Sequence, residues 1–140
     1  MKLKSSIKLT AAYNIDEVLN DKIKVTFVDL NSEVIEETKH EETTGIEYVY
    51  DAYQIDLMND ENYIKKNYDD LLLKAKNFEL NNLANVARLK RKKLLEETDN
   101  YAMTDRVMSN EMKEYRQLLR DVPEQEGFPY DITWPKKPKE

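Results

Sequence analysis

Several residue types that support catalysis or metal binding are scarce in this sequence. Its 140 residues include no cysteine, one histidine and two glycines. Without cysteine there is no disulfide framework and no thiolate chemistry. A single histidine supplies neither a zinc site nor a general base beside an identifiable nucleophile, and two isolated glycines cannot form a phosphate-binding loop. We therefore predict a non-enzymatic protein without catalytic residues, metal or cofactor.

Long hydrophobic stretches are also missing. No apolar run approaches the roughly 20 residues that a membrane span needs. The first 13 residues lack the hydrophobic block and cleavage site of a signal peptide. The net charge of −6 argues against general binding to nucleic acid. These features predict a protein that binds neither membrane nor nucleic acid and that is cytoplasmic when made.

The N-terminal part, residues 1–57, is predicted to be a β-rich domain. Alternation and β-branched residues indicate three strands, at Ile23–Val28, Val34–Lys39 and Ile46–Ile55. Turn-forming residues separate them at Asp29–Ser32 and Glu41–Gly45. We expect a small antiparallel meander, whose inner face needs a helix or a partner to cover it. Before it, Asn14 or Asp16 is predicted to cap one helical turn.

Residues 58–98 are predicted to form a long connecting helix. Neither glycine nor proline occurs between Asn59 and Glu97, and a helix of some 37 residues would be about 55 Å long. Its apolar residues form two lines, which indicates two packing surfaces. The sequence leaves open whether the helix is straight or broken near Asn81 and Asn82. Its basic cluster, Arg88 and Lys90–Lys93, is interpreted as a solvated surface, with nucleic acid or an acidic partner as the alternatives.

Residues 99–140 are predicted to hold a short second helix and an extended end rich in proline and aromatic residues. The helix is expected to start near Asp105 or Ser109 and to end before Pro123. Large apolar residues then alternate at Phe128, Tyr130, Ile132 and Trp134, so an extended strand would place all four on one face. The predicted fold class is therefore α+β: an N-terminal antiparallel β-meander, a long central helix, a short second helix and an extended C-terminus.

The C-terminal residues carry a resemblance to a known family. The stretches LLEETDNYAMTD and YRQLLRDVPEQEGFPYDITWP resemble the C-terminal pattern of phage tail assembly chaperones, also called tail fibre assembly proteins. The matching residues are Thr98, Asp99, Tyr115, Arg116, Gln117, Leu119, Arg120, Asp121, Pro123, Gly127, Phe128, Pro129, Trp134 and Pro135. The sequence departs from the family at Asn100 and Met112, where the family often has tryptophan, and Tyr101 is expected to fill the space.

The resemblance implies a chaperone that binds a tail fibre or another β-rich phage tail protein in the host cytoplasm during assembly. The alternative is a structural subunit of the tail, fibre or baseplate that remains in the virion tail, and a homo-oligomer also stays open. The residues assigned to partner binding are Tyr115, Arg116, Leu119, Phe128, Tyr130, Ile132, Trp134 and Pro135. Those assigned to structure are Thr98, Asp99, Arg120, Asp121, Pro123 and Gly127. The alternating aromatic end is interpreted either as completing the protein's own core or as a strand added to a partner's sheet edge.

Overall fold

The computed structural model describes residues 1–103 and 105–139 and divides into two compact units, Met1–Glu79 and Leu80–Glu140. The first unit contains a four-stranded antiparallel sheet in the order β1-β4-β3-β2. An N-terminal sheet followed by a long and a shorter helix confirms the predicted α+β class. The elements are β1 (Lys2–Ser5), β2 (Tyr13–Leu19), β3 (Lys22–His40), β4 (Thr43–Met58), α1 (Glu61–Lys66), α2 (Tyr68–Glu96) and α3 (Asn110–Asp121).

The predicted turn at Asp29–Ser32 is wrong, because β3 continues through it. Asp29 pairs with Asp51 and Val34 with Val49, so four residues of β3 (30–33) lie opposite one residue of β4. The segment still makes the local hydrogen bonds of a turn. The Ser32 hydroxyl donates to the Asp29 carbonyl at 2.6 Å and accepts the Asp51 N–H at 2.6 Å. The two predicted strands are thus one strand interrupted by a large bulge of four residues.

The predicted helical turn after Asn14 is also wrong, because β2 occupies this segment. Its residues pair with β3 from Tyr13 opposite Phe27 to Leu19 opposite Lys22. Asp16 does not cap a helix. Its carboxylate instead accepts hydrogen bonds from the side chains of Asn14, Thr26 and Gln54. Pairing with β3 satisfies the backbone groups of every second residue of β2, which lies at the edge of the sheet, whereas a single helical turn leaves most of its backbone groups unpaired.

The core of the first unit lies between the sheet and the helices that follow it. One face of the sheet buries Ile23, Val25, Phe27 and Ile55 against Ile64, Leu71 and Ala75. Tyr68 joins this core, and its hydroxyl donates a 2.5 Å hydrogen bond to the Val28 carbonyl. The helices therefore supply the cover that the meander was expected to need. The helix line Ile64, Tyr68, Leu71 and Ala75 is the part of the apolar pattern that does so.

The long helix is not a single helix from residue 59 onward. It is interrupted at Asn67, whose backbone N–H and side-chain amide both donate to the Tyr63 carbonyl, at 3.0 and 2.9 Å. This arrangement ends α1 after two turns, and α2 begins at the next residue. α2 then runs unbroken past Asn81 and Asn82, where the sequence left a break open. None of the helices in the described part of the chain is long and apolar enough to cross a membrane.

The second unit is built around α3. Ser109 caps this helix by accepting the Met112 N–H at 3.1 Å, at the start that the sequence predicted. Met112, Tyr115 and Leu119 are buried on one side of the helix, and the residues packed against them are Leu94, Leu95, Tyr101, Met108 and Trp134. Tyr101 therefore packs against the core of this unit.

The C-terminal residues do not form the predicted strand face. A 3₁₀ turn spans Val122–Glu124, and turns follow through residue 130. The Asp131 N–H donates to the Gly127 carbonyl at 2.7 Å, which closes the last turn. Phe128, Ile132 and Trp134 are half-buried, while Tyr130 is exposed. The turn rotates Tyr130 away from the other three, so the alternation does not place all four on one surface.

Candidate functional site

The second unit is held together by a buried arginine. Arg116 is 8% exposed. Its Nη1 donates to the Leu95 carbonyl at 3.0 Å and to Thr98 Oγ1 at 2.6 Å, and its Nη2 donates to Asp99 Oδ1 at 2.9 Å. The Thr98 hydroxyl, itself fully buried, donates to the Leu95 carbonyl at 3.0 Å. Thr98 and Asp99 therefore bind Arg116 of α3. These hydrogen bonds hold the end of α2 against α3.

Three residues that were assigned to partner binding lie inside the unit. Tyr115 and Leu119 belong to its core, and the Arg116 guanidinium is already engaged by three acceptors. Burial raises the pKa of the Tyr115 hydroxyl above its ordinary value, with a smaller contribution from the negative charge of Glu97. Buried groups with satisfied hydrogen bonds position their neighbours rather than contact a second protein. We therefore propose a structural role for these three residues.

The rings of the C-terminal segment lie beside the basic side chains of α2. The Arg88 guanidinium is 5.7 Å from the Phe128 ring centroid, and the Lys90 ammonium is 4.3 Å from that of Trp134. Such cation–π contacts contribute about 0.5–1 kcal/mol each at exposed sites. Part of the basic cluster is thus paired with aromatic rings of its own unit. Ile132 and Pro135, the other predicted contact residues of this segment, are half-buried, and Tyr130 is exposed.

Gln125 fixes the chain just before Trp134. Its side-chain Nε2 donates to the Thr133 carbonyl at 2.8 Å, and its Oε1 accepts the Thr133 N–H at 2.8 Å. A second constraint is the turn at Gly127. A Cβ there would collide with the backbone oxygen of Asp131 and lie 2.9 Å from that residue's Cβ. Only glycine fits this approach, and we therefore propose a structural role for Gly127.

The remaining residues assigned to structure lie around the end of α3. Asp121 is the last residue of this helix and accepts a 2.8 Å hydrogen bond from the Gln117 side chain. Pro123 stands at the start of the 3₁₀ turn that follows, where a missing N–H costs nothing. The Arg120 carbonyl accepts a 3.3 Å hydrogen bond from Arg91, and the Arg120 guanidinium is 3.5 Å from the Gln117 side-chain oxygen. The hydrogen bond from Arg91 ties the end of α3 to α2.

An open groove of about 720 Å³ runs along the solvent side of α2 within the second unit. Leu89 is its most exposed apolar residue, with 67% of its surface accessible. The lining residues are Asn85, Arg88, Leu89, Arg91, Lys92, Leu95, Glu96 and Asp99. The Nε atom of Arg91 is buried and has no hydrogen-bond partner among the described residues. The groove thus combines an exposed leucine with three cationic and two acidic side chains.

Sequence reasoning missed the residues that shape this surface. Leu89 belongs to neither of the two apolar lines, and the basic residues around it were interpreted as solvated. Gln125 was passed over because a glutamine in a loop carries no recognisable pattern. The sequence does show a leucine amid the basic residues of α2, but single exposed apolar residues are common on protein surfaces, so this alone does not indicate a binding site.

Comparison with known families agrees with the C-terminal pattern. The family model described as phage tail assembly chaperone protein matches residues 84–139, which include the C-terminal part of α2 and all of α3. No curated protein and no solved structure gave a significant match. The match supports a role in phage tail assembly within the host cell, through interaction with phage tail proteins, and suggests a non-enzymatic assembly protein. Through residues 84–139 the chain matches the family of phage tail assembly chaperone proteins, as its C-terminal sequence predicted.

Proposed function

We propose that this protein is a phage tail assembly chaperone that holds an unassembled tail fibre, or another β-rich tail protein, through the groove on α2. The partner would place an apolar side chain against Leu89 and acidic groups near Arg88 and Lys92. The protein would keep this partner from pairing with the wrong copy until its own oligomer closes. Exposed strands of a partly assembled oligomer are prone to such mispairing.

The exposed leucine in the groove is the observation that carries this proposal. Leu89 lies in the segment that matches the chaperone family, and it is exposed between the cationic side chains of Arg88 and Lys92. Apolar contact supplies affinity, because burying a leucine side chain is worth about 1.5–3 kcal/mol. The surrounding charges supply selectivity for an acidic partner surface.

The buried network of Arg116 supports the same assignment. It joins the end of α2 to α3 through Leu95, Thr98 and Asp99, and two of these residues also line the groove. A groove whose walls are fixed before binding loses less conformational entropy when the partner arrives. The residues that define the C-terminal pattern would therefore serve binding indirectly, by holding the surface in shape.

Strand addition by the C-terminal residues has weaker support than binding in the groove. Both backbone groups of Thr133 are occupied by Gln125, and Phe128 and Trp134 lie against side chains of α2. Adding this segment to a partner's sheet would first break these contacts. We therefore propose that Phe128, Ile132, Trp134 and Pro135 support α2. For Tyr130 we propose a contact with the partner.

Co-purification of the tagged chain with a tail fibre protein encoded beside it tests the proposal. Leu89→Asp should abolish recovery of the fibre, because it places a carboxylate at the centre of the contact. Val86→Asp is the matched control: Val86 is 65% exposed on the same helix but does not line the groove. Equal loss in both variants, or no loss in either, would refute the assignment of the groove.

Quantifying the chain in purified particles separates the chaperone from the structural subunit. A chaperone is absent from finished particles, or present far below the copy number of the tail protein, while the free fibre co-purifies with it. A constant whole-number ratio to the tail protein would identify a subunit of the virion. In that case the groove would be a permanent interface, and Leu89→Asp would produce particles that lack the chain.

A further inference from the structure

The hairpin of β3 and β4 has an unpaired edge. β2 pairs with β3 only from Lys22 to Phe27, and the Val28 N–H donates to the Ala12 carbonyl at 2.8 Å. Beyond the bulge, the β3 residues 34–40 pair with β4 alone in the part of the chain that the structure describes. Every second residue of an antiparallel edge strand directs both its N–H and its C=O outward. This edge therefore offers a row of free backbone donors and acceptors.

The side chains along this edge are unusually apolar for a strand in solvent. Val34 and Ile35 are 55% and 57% exposed, and Ile46, on the neighbouring strand β4, is 50% exposed. Ile35 and Ile46 lie on the same face, since Ile35 pairs with Tyr48 and Ile46 with Glu37. Proteins usually protect an open edge with a lysine, a proline or an inward charge at its centre. Here Glu36 and Glu37 stand at the centre, while two β-branched residues, Val34 and Ile35, occupy the end next to the bulge, where the strand is open to pairing.

The charge of the hairpin is strongly acidic. Between residues 33 and 49 there are six glutamates and one lysine. Lys4 neutralises Glu36, at 3.2 Å, and Glu47, at 3.4 Å, while Lys8 is 3.3 Å from Glu33. The other three glutamates, Glu37, Glu41 and Glu42, have no cationic partner within the described residues. Glu37 shares its face with Ile35 and stands beside the open edge.

We propose that the edge of β3 from Val34 to Thr38 binds an extended strand of another protein that carries β-branched residues and a lysine or arginine. The strand would add to the sheet through main-chain hydrogen bonds. Its basic residue would lie near Glu37, and its apolar residues would cover Ile35. This site lies in the first unit, outside the residues that match the chaperone family, so it does not depend on the groove on α2.

A second copy of this chain is a poor occupant of the same edge. An antiparallel copy centred on Glu36 or on Glu37 would place two identical glutamates directly opposite each other, and like charges in that position are destabilising. A basic strand reverses the sign of this interaction. The charges of the edge therefore favour a different protein over self-association.

The test uses the full chain and three synthetic peptides of nine residues. The first has threonine at its odd positions and valine and lysine in turn at its even positions, so that a valine can face Ile35 while a lysine faces Glu37. The second replaces each lysine by glutamate, and the third keeps the lysines but has proline in place of the valines and of alternate threonines. Amide hydrogen exchange measures protection of the outward-facing amides among residues 34–38. The first peptide should protect these amides in a saturable way. The acidic peptide should fail because of its charge, and the proline peptide because it cannot supply the ladder of N–H donors.

Charge-reversal variants complete the test. Glu37→Lys should weaken binding of the first peptide about tenfold, since an attractive cross-strand pair becomes repulsive. Glu42→Lys makes the same change of net charge at the hairpin turn and should alter binding less than about twofold. Equal binding of the proline peptide, equal effects of the two variants, or concentration-dependent self-association through residues 34–38 would each overturn the proposal. Loss of fibre binding through Leu89→Asp would leave it unaffected.

Discussion

The buried Arg116 network makes a quantitative prediction about the stability of the second unit. In Arg116→Met the apolar length of the side chain is kept, but the two hydrogen bonds from Nη1 to Leu95 and Thr98 are lost. Hydrogen bonds that involve a charged group contribute about 1.5–3 kcal/mol each. The Leu95 carbonyl still accepts from the Thr98 N–H and hydroxyl, both at 3.0 Å, so only Thr98 Oγ1 loses its donor. We expect a net loss of about 3 kcal/mol in the free energy of unfolding, at the lower end of the sum for two such bonds, because methionine also removes the cost of burying a charge.

The ion pair with Asp99 should contribute much less. The Asp99 side chain is 61% exposed, and solvent-exposed ion pairs are worth about 0–1 kcal/mol. Asp99→Asn should therefore cost at most about 1 kcal/mol. Thr98→Val removes the buried acceptor, and its combination with Arg116→Met should show a coupling of about 1–2 kcal/mol, because the two residues share one hydrogen bond.

Denaturant unfolding followed by tryptophan fluorescence measures these free energies of unfolding in the second unit of the chain. Trp134 is the only tryptophan in the sequence, and it packs on the core formed by Met112, Tyr115 and Leu119. The reasoning would be refuted if Asp99→Asn cost as much as Arg116→Met, since the exposed charge would then dominate. Zero coupling between Thr98 and Arg116 would refute it equally, because the buried hydrogen bond would carry no energy.

Three further predictions follow from contacts elsewhere. Gly127→Ala should destabilise the second unit by about 1–3 kcal/mol, since the new methyl group meets backbone; Gly45→Ala, whose methyl meets only a side-chain oxygen at 3.0 Å, should change the melting temperature far less. Gln125→Ala removes two hydrogen bonds worth about 0.5–1.5 kcal/mol each and should shift Trp134 fluorescence to the red as the segment loosens, and unchanged emission would contradict the constraint. Burial opposes ionisation of Asp16, but three side-chain hydrogen bonds outweigh it and lower its pKa below the ordinary 3.8. The carboxylate therefore stabilises the first unit above that pH, and this contribution is lost as the pH falls through the lowered pKa. Asp16→Asn should flatten acid unfolding curves recorded by circular dichroism.

The sequence predicted whether each large element is a helix or a strand. Its predictions were wrong where contacts with distant parts of the chain decide the structure of residues that resemble turns or caps. Asp29 and Ser32 do make turn hydrogen bonds, but β4 continues to pair beyond them, so the turn chemistry produces a bulge. α1 ends at Asn67 without glycine or proline. There the backbone N–H and the side-chain amide of Asn67 both donate to the Tyr63 carbonyl, and the pattern of apolar residues does not predict this. Asn14 belongs to a strand because β3 offers it a partner, and single-sequence propensity does not include that partner.

The candidate site was predictable in its residues and not in their arrangement. The C-terminal pattern identified Thr98, Asp99 and Arg116, but only the fold shows that they bind one another and are buried. The alternation that ends at Trp134 indicated a strand, and this prediction failed because the chain turns between Gly127 and Asp131. The groove around Leu89 had no periodic signal, because exposure depends on what neighbouring elements leave uncovered.

The bulge in β3 has a consequence for how the length of this protein can vary in evolution. The core fixes the register of β3 up to Asp29, and the tight connection after His40 fixes it from Val34 onward. Residues 30–33 lie between these two fixed blocks, opposite a single residue of β4. Insertion or deletion of one residue there changes only the size of the bulge, whereas the same change near Val25 would turn core side chains towards solvent. Homologous chains of different length should therefore differ at residues 30–33, with the strand segments on either side unchanged in length.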